Sequence, residues 1–232
     1  MAGSADNRNP FQPLPSGTII DEPVEVASWL AREMGLSVAS FDEACERARL
    51  EWGAHTEYDP PSFPGTVFWG TCVRYLRGLL VRLDWTPDDT KNFSRIIHPD
   101  GDIALVVETG DEFTGVRGIK QPKTKSAKGT ETLAAIVANV EQVDMFIDPA
   151  HQLFRAQKNR LMRTYFLLVR LDGGRVYREV SLPVRSGEND RIDTWHIRVL
   201  LPPLTGGTPP GAQAPLPLPA PDPIIEVTRR TA

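Results

Sequence analysis

TYFLLVRLDGGRVYREVSL, residues 164–182, is the stretch that decides the fold. Its two apolar runs, Thr164–Leu171 and Val176–Leu182, flank the sequence DGG at 172–174, which is typical of a tight turn between antiparallel strands. The next apolar run, Ile192–Leu201, alternates large apolar residues with polar ones, which is the period of a strand. Trp195 begins its apolar stripe. These three runs predict an antiparallel meander.

A second hairpin is predicted upstream of the meander. Phe93–His98 and Ile103–Thr109 read as strands, and the sequence PDG at 99–101 between them is a strong turn signal. Ile103–Val107 is almost continuously apolar, as expected of a central strand that is covered on both faces. The chain therefore contains about five predicted strands.

The first part of the chain shows helical periodicity instead. Pro23–Met34 carries one apolar stripe and stops at Gly35. Ser40 and Glu43 have the spacing of a capping box, which predicts that a second helix begins at Ser40. Further helices are predicted after Pro64-Gly65 as far as Trp85, over 130–146, and over a short basic segment at 150–161.

The predicted fold class is α+β: N-terminal helices, then a mainly antiparallel sheet of about five strands with one or two packed helices. The elements do not alternate βαβα, so a doubly wound parallel sheet is not expected. Residues 1–20 are predicted to be a flexible N-terminal arm. Residues 21–201 are predicted to form a single α+β domain, with a sub-boundary near 90 as the alternative. Residues 202–232 are predicted to form a proline-rich tail with a short terminal strand.

Composition limits the classes of function. The net charge of −4 and the pI of about 5.6 argue against a protein that coats nucleic acid with its whole surface. Cys45 and Cys72 occupy apolar positions of predicted helices, which indicates buried, reduced thiols. The sequence shows neither a leader nor an apolar run long enough to span a bilayer. We therefore expect a cytoplasmic protein with no membrane partner.

The loop 113–130 is the most informative segment for function. It has five cations, no acidic residue, and a helix start at Thr130. Free amides at a helix start and nearby cations favour a bound phosphate, so the sequence predicts an anion site. The alternative is a solvated loop whose cations only maintain solubility. The segment lacks P-loop spacing. The predicted anion-binding residues are Arg117, Lys120, Lys123, Lys125, Lys128 and Thr130.

Acidic residues near the first hairpin suggest a different kind of site. Asp100 and Asp102 bracket the turn, and Glu108 lies near the end of the following strand. With Lys120 or Lys123, they have in outline the residues that a metal-dependent nuclease or phosphotransfer enzyme needs. Only this alternative calls for a cofactor, Mg²⁺. Ordinary turn solvation explains the same carboxylates.

His196 is the remaining catalytic candidate. It is predicted to share a strand face with Arg198, opposite the Trp195 stripe, and Arg170 would make that face basic if it pairs alongside. Such a surface resembles the histidine and arginine arrangement of ribonuclease-type general acid–base chemistry. A half-exposed polar sheet face is the plainer interpretation. The four histidines and two cysteines show no zinc-ligand spacing, so no metal site is predicted.

The tail gives a signal of a different kind. Residues 216–223 read LPLPAPDP, which favours an extended conformation suited to docking on a protein partner. We therefore expect a non-catalytic accessory or interaction protein of a bacterial complex, with loop 113–130 contacting phosphate or nucleic acid. Its tail would contact a protein partner. Whether the chain is an enzyme stays open at this point.

Overall fold

The computed structural model describes residues 17–147 and 162–205. The predicted helix at 150–161, the terminal strand and most of the predicted arm and tail lie outside these residues. The strands are β1 (Thr18–Ile20), β2 (Thr86–Asp88), β3 (Arg95–Ile97), β4 (Ile103–Thr109), β5 (Arg163–Asp172), β6 (Arg175–Ser186) and β7 (Ile192–Thr205). The α-helices are α1 (Pro23–Met34), α2 (Val38–Trp52), α3 (Phe63–Leu80) and α4 (Thr130–Ile147).

The strands form one seven-stranded mixed sheet in the order β1-β7-β6-β5-β4-β3-β2. β1 pairs with β7 and β4 pairs with β5 in parallel, while the other neighbours are antiparallel. The predicted mainly antiparallel, five-stranded sheet is therefore wrong, although the class remains broadly α+β. The error has two physical sources. The segment between β4 and β5 is long enough for a crossover that makes them parallel, and two short edge strands carry little periodic signal.

Helices cover both faces of the sheet. One face packs against α1, α2 and α3 in the larger core, which includes Leu30, Phe41, Leu76, Leu105, Leu167 and Val199. The opposite face carries a smaller core, with Phe93, Val106, Ile136, Phe166, Leu168, Ile192 and Trp195. The second face is covered by α4 and by the segment 110–129. Ile103–Val107 is buried throughout, which confirms the prediction of a central strand for β4.

Local sequence signals account for most helix ends. α1 matches its predicted bounds, with Pro23 in the first turn and Gly35 closing the helix at φ 64°. α2 begins at Val38, with Ser37 at the cap position, so the capping box predicted at Ser40 is wrong. Ser40 and Glu43 lie inside the helix because the backbone turns helical before them. α3 begins at Phe63, since proline is tolerated in a first turn.

A β-bulge changes the predicted face of Trp195. Leu182 of β6 pairs with Ile197, but its neighbour Pro183 pairs with Trp195, so β7 has one extra residue at His196. Trp195 therefore packs in the smaller core, whereas Ile197 packs in the larger one. The predicted single apolar stripe from Trp195 onward is wrong for this reason.

The outer strands have features that limit further pairing. β7 continues to Thr205, beyond the predicted end at Leu201, and includes Pro202 and Pro203. β1 pairs only with Ile197–Val199 of β7. Prolines have no N–H to offer a further strand, so they protect this end of the edge. Among the described residues, no helix combines the length and the hydropathy that a bilayer span requires.

Asn139 fixes α4 to the sheet. Its side chain is fully buried, and its amide donates to the carbonyls of Thr164 and Pro183, each at 3.0 Å. Its Oδ1 accepts the Thr164 N–H at 2.8 Å. One side chain therefore satisfies backbone groups at the start of β5 and at Pro183 of β6, opposite the bulge in β7.

We expect Asn139→Ala to lower the free energy of unfolding by about 2–4 kcal/mol, because buried backbone groups lose their partners. Glu141→Ala, at an exposed position of the same helix, is the control and should change it by less than about 0.5 kcal/mol. Urea denaturation measures both variants. Equal stabilities for the two variants would show that Asn139 does not anchor the helix.

Candidate anion-binding loop

Residues 110–129, called the lysine loop below, follow β4 and lead into α4. The loop folds back along its own beginning: Gly110 and Thr124 form a β-bridge. The Asp111 N–H donates to the Lys123 carbonyl, and the Lys125 N–H donates to the Thr109 carbonyl, both at 2.9 Å. The segment that carries the lysines is therefore an ordered extension of the sheet.

The middle of the loop is attached to the start of β7. Thr124 is buried and exchanges hydrogen bonds with Ile192: its N–H donates to the Ile192 carbonyl at 3.0 Å, and its Oγ1 accepts the Ile192 N–H at 3.1 Å. Trp195 donates from its indole Nε1 to the Pro122 carbonyl at 2.8 Å. Its backbone N–H donates to Gln121 Oε1 at 2.9 Å. The bulge in β7 turns Trp195 toward the loop, and Trp195 therefore helps to hold the loop in place.

A buried ion pair lies beneath the first half of the loop. Glu179 on β6 and Arg198 on β7 are 0% and 1% exposed, and Arg198 donates from Nε and Nη2 to the two carboxylate oxygens. Ser181 Oγ donates to Glu179 Oε1 at 2.8 Å. Arg198 Nη2 also reaches the carbonyls of Phe113 and Val116, at 3.4 and 3.2 Å. The pair therefore connects the sheet to the loop backbone.

Gly115 completes this attachment. Its N–H donates to Glu179 Oε2 at 2.9 Å, and its φ of 68° lies in the left-handed region. A Cβ on this residue would lie 2.7 Å from the backbone nitrogen of Arg178. Only glycine therefore fits where the loop touches β6.

Two of the predicted anion-binding cations already have partners. Arg117 Nη1 lies 2.7 Å from Asp21 Oδ2, just before α1. Lys128 points inward, is 9% exposed, and pairs with Glu108 Oε2 at 2.5 Å. Both residues therefore help to hold the loop on the protein.

The other three lysines are exposed. Within the described residues, no carboxylate lies within 4 Å of the Nζ of Lys120, Lys123 or Lys125. The Lys120 ammonium lies 5.3 Å from the centroid of the Phe113 ring. Lys123 and Lys125 flank the buried Thr124 in an extended segment, so their side chains share the outward side.

The Asp111 carboxyl lies close to one of these lysines, Lys123. Burial raises the pKa of this carboxyl, while hydrogen bonds from the Phe113 and Lys123 backbones and the nearby Lys123 charge lower it. Of the three exposed lysines, Lys123 is therefore the one whose charge interacts with a carboxyl group of the loop.

The start of α4 is separate from the lysines. Thr130 is exposed, but the first turn also contains Glu131, whose carboxylate pairs with Lys91 at 2.8 Å. A carboxylate in this position already complements the helix dipole. The structure therefore does not bring Thr130 and Lys128 together as one anion site.

The β3–β4 turn brings His98 to the predicted carboxylates. Ligand atoms of His98, Asp100 and Asp102 lie within 4.8 Å of one another, an arrangement that could hold a divalent cation. His98 Nδ1, however, accepts the Asp100 N–H at 3.1 Å, and Arg163 Nη2 lies 3.7 Å from Asp102. This guanidinium opposes a cation at Asp102. The HPDGD spacing at 98–102 is the sequence signal that would have added His98.

Glu108 does not join this cluster. It lies six residues beyond Asp102 along β4, a separation of roughly 20 Å at the rise of a strand. Its carboxylate pairs with Lys128, not with Lys120 or Lys123. The structure therefore separates the carboxylates that the enzyme interpretation needs together.

His196 is buried in the protein. It is 8% exposed, its Nδ1 has no hydrogen-bond partner among the described residues, and burial lowers the pKa of its imidazole. Arg198 is committed to Glu179, and Arg170 pairs with Asp172 and lies 4.0 Å from the Tyr177 ring centroid. This histidine and arginine face is therefore covered rather than open to a substrate.

Sequence reasoning missed Glu179, Ser181 and Gly115. Glu179 and Ser181 alternate with Val180 and Leu182 on a strand, which signalled a second, polar face. That this face is buried depends on the loop above it, which the pattern alone does not show.

Comparisons with known protein families, with curated proteins and with solved structures find no match to this chain.

We expect Glu179→Gln to lower the free energy of unfolding by about 3–5 kcal/mol, because Arg198 is left as an uncompensated buried charge. Glu112→Gln, at an exposed carboxylate on the same loop, is the matched control and should be nearly neutral. Chemical denaturation measures both. A cost below about 1 kcal/mol for Glu179→Gln would mean that the pair is not what holds the loop.

Gly115→Ala and Gly118→Ala test how closely the loop approaches β6. Gly115→Ala should cost about 2–4 kcal/mol, since both its φ and its distance to Arg178 exclude a Cβ. At Gly118 a Cβ would meet nothing within 4 Å, so this control should retain wild-type stability. Thermal melts of the two variants compare them directly. Coincident melts would contradict the described contact.

Proposed function

We propose that this protein is a non-catalytic accessory protein that contacts the phosphate backbone of a nucleic acid through Lys120, Lys123 and Lys125. The observation that carries the proposal is that three exposed lysines, which have no ion-pair partner in residues 17–147 and 162–205, project from a loop that is tied to a folded sheet. Phosphates attract lysine without sequence preference, so base-specific recognition is not part of the proposal.

The attachment of the loop supports binding. A loop that is already ordered loses little conformational entropy when it meets a ligand. Lys125 lies five positions after Lys120, so their backbones are no more than about 18 Å apart. That span suits several successive phosphates on one strand.

The overall charge restricts where contact occurs. With a net charge of −4, most of the surface repels a polyanion, so binding is confined to the lysine loop. Arg117 and Lys128 contribute by fixing the loop rather than by meeting the ligand. Of the six predicted anion-binding residues, we therefore keep three as contacts with the ligand: Lys120, Lys123 and Lys125.

The amino-acid sequence supports a protein partner and a cellular location for this protein. The proline-rich composition of the tail, 206–232, supports contact with a protein partner in a bacterial complex. Two free buried cysteines are consistent with a reducing compartment, and we place the protein in the cytoplasm.

The test is binding of a fluorescent duplex, DNA and RNA in parallel, to the full chain over a series of salt concentrations. Three phosphate contacts predict that log K falls against log[salt] with a slope of about −2 to −3. The variant Lys120→Gln/Lys123→Gln/Lys125→Gln should lose about tenfold or more in affinity at low salt and most of the slope.

The matched control is Arg32→Gln/Arg47→Gln/Arg82→Gln, which removes the same charge from exposed positions on the helical side. It should retain most of the affinity. Equal losses in both variants would show that only net charge matters, and no binding by the wild type would refute the proposal.

The rival function, a metal-dependent nuclease or phosphotransfer enzyme, is separated in the same assay by adding Mg²⁺ or Mn²⁺. Our proposal predicts intact nucleic acid after incubation. Cleavage that requires the metal and disappears in Asp102→Asn would establish the enzyme instead.

A further inference from the structure

A thiol pair lies inside the helical layer, remote from the lysine loop. Cys45 on α2 and Cys72 on α3 are both free and 0% exposed. The Cys72 thiol makes a hydrogen bond to Cys45. The buried residues of α2 on either side of Cys45, Ala44 and Ala48, have small side chains, which lets α3 approach closely.

A buried guanidinium faces the pair. Arg178 on β6 is 1% exposed and lies beside the Cys45 thiol. It pairs with Asp42 Oδ1 at 2.6 Å and donates from Nη2 to the Pro202 carbonyl at 2.7 Å. Its Nε and Nη1 make no hydrogen bond to nitrogen or oxygen of the described residues. A buried guanidinium with unused N–H donors calls for a further hydrogen-bond acceptor.

Cys45 is the group placed to supply that acceptor. The hydrogen bond from Cys72 lowers the pKa of the Cys45 thiol, and the Arg178 charge lowers it too, while burial and the Asp42 charge oppose them. The same hydrogen bond and burial raise the pKa of the Cys72 thiol. The two sulfurs are therefore unequal, and Cys45 is the more acidic thiol of the pair.

We propose that Cys45 and Cys72 form a site of reversible oxidation by hydroperoxides, in which Cys45 is the reacting sulfur and Cys72 the resolving one. The Cys45 thiolate attacks a peroxide oxygen, the O–O bond breaks, and hydroxide or alkoxide leaves with the electron pair. Cys45 is then a sulfenic acid. The Cys72 sulfur attacks it, the S–O bond breaks, and water leaves as the disulfide forms.

The chemistry fits the environment. Cysteines that oxidise reversibly have a nearby cation, a neighbouring thiol and access to solvent, and this pair has the first two. Asp42 lies one helical turn before Cys45, and its side chain is 41% exposed. Solvent is therefore within about 5 Å along the axis of α2. Access is the third requirement, and we expect a small hydroperoxide to reach the pair more readily than a bulky disulfide reagent.

The experiment exposes the native full chain to hydrogen peroxide, quenches it, unfolds it in alkylating reagent and maps the cysteine peptides by mass spectrometry. The expected result is a Cys45–Cys72 cross-link that a thiol reductant reverses. Two alkylated, unlinked cysteines would overturn the proposal. A cross-link that forms only at urea concentrations that unfold the protein would overturn it as well.

Two variants assign the roles. With dimedone present during oxidation, Cys72→Ser should be labelled at Cys45, and Cys45→Ser should not be labelled at Cys72. The reverse labelling would contradict the assignment. Arg178→Met should slow formation of the cross-link severalfold, because the Cys45 sulfur loses the neighbouring cation that favours its thiolate. Circular dichroism checks that each variant is folded, and for one that is not, the wild-type peptide map decides.

Discussion

The buried ion pair between Glu179 and Arg198 is the constraint on which the arrangement of the second sheet face depends. Two charges removed from water carry a large desolvation cost, which only good geometry and further hydrogen bonds offset. Ser181, the Gly115 N–H and the Phe113 and Val116 carbonyls provide those bonds. The lysine loop is therefore required for the sheet face to be satisfied, and the sheet face in turn holds the loop.

Consecutive residues of β6 carry the two unusual features of the molecule. Arg178 points toward the helices and meets Asp42 and Cys45, while Glu179 points the other way and meets Arg198. The strand alternation that separates their faces is ordinary. What is unusual is that both side chains are charged and almost fully buried in a central strand. One charge positions a candidate binding loop, and the other sits beside a candidate oxidation site.

Features with strong local signals could be predicted from sequence. α1 follows from its periodicity and its terminal Gly35, and β4 follows from its continuous apolar run. β1 and β2 could not be found, because each is short and one contains Pro87. The parallel pairing of β4 with β5 depends on a crossover that leaves no mark on either strand. The bulge at Trp195 depends on register with β6, a long-range property that periodicity does not encode.

For the candidate site, the sequence located the cations but not their roles. Lys120 and Lys128 look alike in a string of lysines, yet one is exposed and the other is buried against Glu108. Which residues lie next to each lysine in the folded protein decides whether that lysine is exposed or paired. The same holds for Asp102 and Glu108: Asp102 directly precedes β4 and Glu108 lies near its far end, so the strand keeps the two carboxylates apart.

Amide hydrogen exchange of the native chain, read residue by residue by NMR, tests most directly whether the buried pair holds the loop in place. The account predicts that the Gly115 and Thr124 N–H groups exchange as slowly as those of β6, since they open only with the sheet. Exchange of these amides at the rate of an unstructured chain, while β6 stays protected, would contradict it.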